Sequence, residues 1–201
     1  LALSKLETYC QDWGLNINIR KTQVMICTPT GKVEKEDFYL SGSKLDIVDS
    51  YKYLGVQFTR NLNFKKCQEY LADKARKANF KLKKILVPEG ASPKTMLSLF
   101  EKLVQPIALY GSEIWFTPKP TKNLIANYNS VVSEKVHLSF LRATLGVHKK
   151  ATNLGILGET GQVPLEVMAA LNLIKYKTRL DDLKDKESLL YDAFIESKTL
   201  A

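Results

Sequence analysis

"DWGLNINIRKTQVM", residues Asp12–Met25, is where one periodicity gives way to another. Before it, in "LALSKLETYCQDW", Leu3, Leu6, Tyr9, Cys10 and Trp13 recur at steps of three and four, the spacing of one helix face. Gly14 follows at the place where a helix stops, because glycine alone enters the left-handed conformation of that position without steric cost. After it, "TQVMICT" (Thr22–Thr28) is rich in β-branched and apolar residues and predicts a strand. "LNINIRK" is therefore a helix-to-strand connection, with Asn18 inside it and Lys21-Thr22 at its exit.

Toward the C-terminus the short strands continue. "TPTGK" is a turn by its proline and glycine, and "DFYLSGSKLDIV" predicts two short strands about a Ser-Gly-Ser turn. "YKYLGVQFT" (Tyr51–Thr59) predicts one longer strand with Gly55 inside it, where a glycine marks a bulge or a close backbone approach. Tyr51 and Tyr53 would share one face of that strand, and Leu54 and Val56 the other. From Leu62 to Leu86 the period turns helical, with Phe64, Cys67, Leu71, Ala75, Ala78, Leu82 and Ile85 in one stripe.

Ser92-Pro93 supplies a helix cap and first turn, and Pro106 predicts a break near Gln105 in the apolar run that ends at Trp115. Trp115, beside Glu113, reads as core. "TPKPTK" is a connector. Helices are predicted at about 122–145 and 164–183, separated by a loop through "GILGETGQVP" and followed by a short tail helix. Asp181-Asp182 fall on a solvated helix face of mixed charge. The predicted fold class is α+β: a helix with short antiparallel strands first, mainly α-helix thereafter, with segments at 1–58, 59–116 and 117–201.

The composition, 45% hydrophobic and 25% charged over 201 residues, allows a core. The net charge of +9 favours an anionic partner, of which nucleic acid is the commonest, although a basic enzyme without one fits the charge equally. The charge is concentrated. Between Arg60 and Leu86, the cations Arg60, Lys65, Lys66, Lys74, Arg76, Lys77, Lys81, Lys83 and Lys84 face only Glu69 and Asp73, a net of about +7. Lys66, Lys77 and Lys84 would follow one another at near three and two helical turns, a spacing suited to a line of phosphates.

Cys10, Cys27 and Cys67 are scattered, and neither they nor His137 and His148 show metal-ligand spacing. They read as reduced, mostly buried thiols of an intracellular protein, nuclear or cytoplasmic. No apolar run is long enough to span a bilayer, so no membrane partner is expected, and Lys5 and Glu7 break any signal-like run at the start. The chain opens at Leu1 inside a helical pattern, as a piece of a longer protein would.

Gly14-Leu15, Asn18 and Lys21-Thr22, with Met25 on the strand that follows, resemble the fourth palm motif of the reverse transcriptases of non-LTR (LINE-type) retrotransposons. "YKYLGVQF" resembles that family's next element, the hairpin that grips the primer end. "LVQPIALYGSEIW" resembles the stretch following the palm, and "LRATLGV", "LGETGQVPL" and "LIKYKTRL" the region after the thumb. The resemblance covers nearly the whole chain in order. It implies that 1–58 is the end of a polymerase palm, 59–116 a helical thumb and 117–201 a post-thumb region.

In that family the motif lysine is set against the triphosphate, which makes Lys21 the candidate catalytic residue, acting on the departing pyrophosphate. Tyr53 and Gly55 of the hairpin, with Lys65, Lys66, Arg76, Lys77, Lys83 and Lys84 of the basic helix, become candidate nucleic-acid contacts. The implied partners are an RNA template and a DNA primer, paired as a hybrid duplex, together with the palm and fingers that would precede Leu1. Mg2+ is implied for the complete enzyme. Here the chain departs from the family, for the aromatic-x-Asp-Asp signature that would hold the metals is absent. The expected role is duplex binding without polymerisation. Three alternatives stay open: a basic enzyme surface with solvated lysines, a helical nucleic-acid-binding module without enzymatic role, and a non-functional remnant of a retroelement.

Overall fold

Gly14 stands in the left-handed region, at φ +62°. There the chain folds back on its first helix: Leu15 N–H donates to the Cys10 carbonyl at 2.8 Å and Gly14 N–H to that of Gln11 at 3.2 Å. These bonds satisfy carbonyls that the end of a helix leaves open, and they close α1 (Ala2–Asp12) at the predicted place. The computed structural model describes residues 2–28, 37–117, 131–183 and 188–199. The protein is mixed α+β and divides into two compact units, Leu1–Cys67 and Gln68–Ala201.

The first unit carries short strands: β1 (Gln23–Val24), β2 (Tyr39–Leu40), β3 (Ser43–Lys44), β4 (Asp46–Ile47), β5 (Ser50–Tyr53) and β6 (Val56–Thr59). The strand predicted over Thr22–Thr28 is confined to Gln23–Val24. β2–β3 and β5–β6 are antiparallel as expected, but β1 pairs with β4 in parallel, with Val24 opposite Ile47. A parallel pair needs a crossover, and here the crossover carries the β2–β3 hairpin. Leu40, Leu45 and Val56 are buried in this unit, and Phe58 meets Phe64 edge-on at 5.7 Å.

Gly55 is not inside a strand. Leu54 and Gly55 have φ of +46° and +90° and form a two-residue turn that sets Tyr53 opposite Val56. Paired positive φ values match the twist of a hairpin, so the turn joins β5 to β6 directly. Leu54 therefore leaves the pleat and sits exposed at the tip, while Val56 is buried, so the two do not share the face expected of them. The cysteines are mostly buried, as expected. Cys10 and Cys67 are buried, whereas Cys27 is exposed, and burial pushes the Cys67 thiol above its usual pKa.

The helices that follow are α2 (Lys65–Leu86), α3 (Pro93–Leu103), α4 (Gln105–Ala108), α5 (Ser112–Trp115), α6 (Glu134–Leu145), α7 (Asn153–Thr160), α8 (Leu165–Asp181) and α9 (Leu189–Thr199). Ser92 caps α3 by accepting from Thr95 N–H at 3.2 Å, with Pro93 in the first turn. Val104 separates α3 from α4, the break that Pro106 requires. The loop predicted through "GILGETGQVP" is instead largely α7. Thr152 caps that helix and Gly161 ends it in the left-handed conformation, signals that outweigh two glycines within the helix. Residues 122–130 of the helix predicted at 122–145, most of "TPTGK" and most of "TPKPTK" lie outside the described residues.

The core of the second unit is built on stacked rings: Phe100 lies 4.6 Å from Phe140 and 5.3 Å from His137. Trp115 is buried, as expected, and its indole N–H donates to the Tyr110 carbonyl at 2.8 Å. Within this apolar setting Glu134 has no accessible surface, yet its carboxylate is satisfied twice. Oε2 accepts from Leu165 N–H at 2.6 Å, at the start of α8, and Oε1 lies 3.1 Å from His137 Nδ1. Removing both oxygens would strand two buried donors at about 1–3 kcal/mol each. Glu134→Ala should therefore lower stability by about 2–5 kcal/mol in urea titration, and Glu134→Gln, which keeps one acceptor, by clearly less.

Candidate nucleic-acid interface

α2 buries one side and charges the other. Cys67, Leu71, Ala72, Ala75, Asn79 and Leu82 are buried, and Ala78 is half-buried. Ile85, expected to extend this stripe, is 63% exposed. Leu86, four residues beyond Leu82, is half-buried in its place, because a step of four stays nearer the buried meridian there. Phe80, among the lysines, is also exposed.

The cations of α2 are not equivalent. Lys65, Lys66, Lys77, Lys81 and Lys84 are exposed. Lys74 lies 4.8 Å over the Tyr70 ring, and Arg76 is paired with Asp73 one turn away. Lys83 turns the other way: its Nζ donates to the Ser139 carbonyl at 2.8 Å and lies 3.1 Å from the Ser139 hydroxyl. Burial holds its ammonium below the ordinary lysine pKa. Lys83 thus ties α2 to α6, whereas Lys77 and Lys84 point their charge at solvent.

Ahead of α2, Asp49, Thr59, Arg60, Asn61, Asn63, Lys65 and Lys66 line a cleft of about 380 Å³. The Arg60 guanidinium pairs with the Asp49 carboxylate, and Arg60 N–H donates to the Asp49 carbonyl at 2.9 Å. The Thr59 hydroxyl lies 2.8 Å from the Asn63 carbonyl and 3.0 Å from Asn61 Oδ1. Asn61 Oδ1 also accepts from Asn63 N–H at 3.2 Å, and Asn63 Oδ1 from Lys65 N–H at 2.9 Å. Asn61 and Asn63 are not among the candidates that the sequence points to. Their signal was two short amides, spaced by one residue, directly before a helix.

Lys21 closes a turn of 3₁₀ helix, Ile19–Lys21. The Asn18 carbonyl collects both the Lys21 N–H at 3.0 Å and the Thr22 hydroxyl at 2.9 Å, so Asn18, Lys21 and Thr22 are joined through one acceptor. The Lys21 side chain is exposed. Tyr53, also exposed, and Gly55 flank the tip of the β5–β6 hairpin. The structure thus brings Lys65 to Lys66 in one cleft and Tyr53 to Gly55 in one turn, with Lys21 on a turn of its own and Lys77 and Lys84 farther along α2.

Among the described residues, no three His, Cys, Asp or Glu side chains converge as a metal site. Likewise, no helix of the described residues is long and apolar enough to cross a membrane.

The chain has two relatives that come from transposable elements. It is 29% identical over 152 residues to a transposon-derived protein of Caenorhabditis elegans, an overlap of 72% of this chain and 49% of that protein. It is 23% identical over 191 residues to the 115 kDa protein of a type-1 retrotransposable element of Drosophila melanogaster, covering 94% of this chain and 18% of that protein. The chain thus spans about half of the first relative and less than a fifth of the second, and it is related to retrotransposon proteins. No family model matches the chain, and no solved structure matches it.

The division among the cations has a direct consequence for stability. Lys83→Ala removes the hold on Ser139 and should cost about 1 kcal/mol, whereas Lys77→Ala should stay within about 0.5 kcal/mol of the parent. Paired thermal melts of the two variants measure the difference.

Proposed function

We propose that the chain is the end of the palm, the thumb and the post-thumb region of a non-LTR retrotransposon reverse transcriptase, and that it binds the hybrid duplex of RNA template and DNA primer. The observation that carries this reading is α2, a helix with one buried face and an opposite face bearing exposed Lys66, Lys77 and Lys84. Kinship with retrotransposon proteins and the ordered motif resemblance support it. Lys77 and Lys84 lie two turns apart, about 10 Å along the helix, and would meet phosphates of one strand. Lys65 and Lys66 serve the same backbone from the start of α2, and the hairpin tip at Tyr53–Gly55 would approach the primer end. Arg76 contributes after parting from Asp73. Lys83 is spent on Ser139 and contributes by fixing α2 rather than by touching phosphate.

Binding on these terms is electrostatic and weakly selective for sequence. Each neutralised phosphate contributes about −0.9 to the salt slope on B-form DNA, so three contacts should give a slope of about −3. Reversing Lys77 and Lys84 to Glu should flatten that slope and weaken all hybrid sequences about equally while leaving the helical circular-dichroism signal intact. Fluorescence anisotropy across a salt series makes the measurement. Unchanged affinity and slope in the double reversal would return α2 to a solvated face.

Lys21 is assigned to the departing pyrophosphate, where a positioned acid helps mainly in the transition state. Residues 1–201 alone should show no primer extension on an RNA template, because the metal-binding signature is absent from them. In a polymerase that includes the preceding palm and fingers, Lys21→Ala should lower the single-turnover rate more than nucleotide affinity. Extension by the isolated chain, or an unaltered rate in the variant, would overturn the assignment.

A further inference from the structure

In the cleft ahead of α2 the side-chain oxygens of Asn61 and Asn63 are engaged within the loop. Asn61 Oδ1 faces Thr59 and Asn63 N–H, and Asn63 Oδ1 holds Lys65 N–H. A carboxamide whose oxygen is held inside a loop presents its NH₂ group on the other side. Among the described residues, no hydrogen bond within the protein engages the NH₂ of Asn61 or Asn63, or the ammonium of Lys65 or Lys66. Asp49 is the one acid in the lining and is already matched by Arg60, so the three cations around the cleft leave it about +2. A cation has no ligand set in such a place. A tetrahedral oxyanion does, since it accepts from several donors at once.

We propose that the Asp49–Lys66 cleft is a phosphate-binding site, with Asn61 Nδ2 and Asn63 Nδ2 as neutral donors and Lys65 and Lys66 as charged ones. The chemistry stands on the donor set. That the phosphate belongs to a nucleic-acid strand rests on the function proposed above; a free nucleotide or inorganic phosphate presents the same group. The cleft would fix one phosphate in position, a stricter role than the diffuse attraction of the exposed face of α2.

Asn63→Asp separates binding from folding. The carboxylate keeps the oxygen that holds Lys65 N–H, and a negative charge at the start of a helix is at least as good a cap. It replaces the outward donor with a charged acceptor. In the 201-residue chain, ¹⁵N spectra should show the side-chain NH₂ signals of Asn61 and Asn63 shifting with inorganic phosphate, and not with sodium chloride at equal ionic strength. In Asn63→Asp the Asn61 shift should vanish and hybrid affinity should fall about tenfold, with the thermal midpoint not lowered.

Equal shifts with chloride, or no shift at all, would overturn the site. So would hybrid binding that the Lys77 and Lys84 reversals weaken but Asn63→Asp leaves alone, an outcome under which the duplex-binding reading survives. If the hybrid does not bind while phosphate still shifts both amides, the site stands and the duplex-binding reading falls.

Discussion

Glu134 sets the terms for the second unit. A carboxylate without accessible surface must be hydrogen-bonded on both oxygens or cost several kcal/mol, and here both oxygens have partners. One donor is the first backbone N–H of α8 and the other is the ring of His137, one turn along α6. The first bond places the start of α8 against α6, and the second holds the imidazole flat against Phe100. Arg142 extends the same logic toward α7, reaching the Ala151 carbonyl at 3.0 Å and Asn153 Oδ1 at 2.6 Å. Three helices and a ring stack thus answer to polar groups inside an apolar core.

Folding changes the meaning of the charge on α2. A count of nine cations, Arg60 and the eight on α2, treats them as one patch. In the folded chain Lys83 is drawn inward to Ser139, Arg76 is neutralised by Asp73 and Lys74 covers Tyr70. What remains for a partner is a smaller set, held at spacings that follow from the helix itself.

The first unit is organised by turns rather than by long strands. Its strands are two to four residues each, too short to hold a register by pairing alone. Register comes instead from two-residue turns with positive φ, at Ser41-Gly42 and at Leu54-Gly55. The loop from Thr59 to Lys65 follows the same economy, since side-chain amides take the place of ladder bonds. Similarity to transposon-derived and retrotransposon proteins at this identity does not itself specify a site.

Local signals carried the sequence a long way. The three-and-four spacing of Leu3 to Trp13, the stop at Gly14, the cap at Ser92-Pro93 and the break at Pro106 are each decided within a few residues, and each is found in the structure. The concentration of charge between Arg60 and Leu86 is likewise a property of the chain alone. Tertiary structure decided the rest. "YLGV" could bulge or turn, and pairing of Tyr53 with Val56 chose the turn. Ile85 fits a helical stripe by spacing, but only the position of the neighbouring elements determines where burial ends. Nothing in the order of residues says that Lys83 meets Ser139, that Glu134 meets the start of α8, or that Asn61 and Asn63 turn their oxygens inward. Those contacts join residues through space or through a loop geometry that forms only when the chain has closed, and a linear pattern does not encode them.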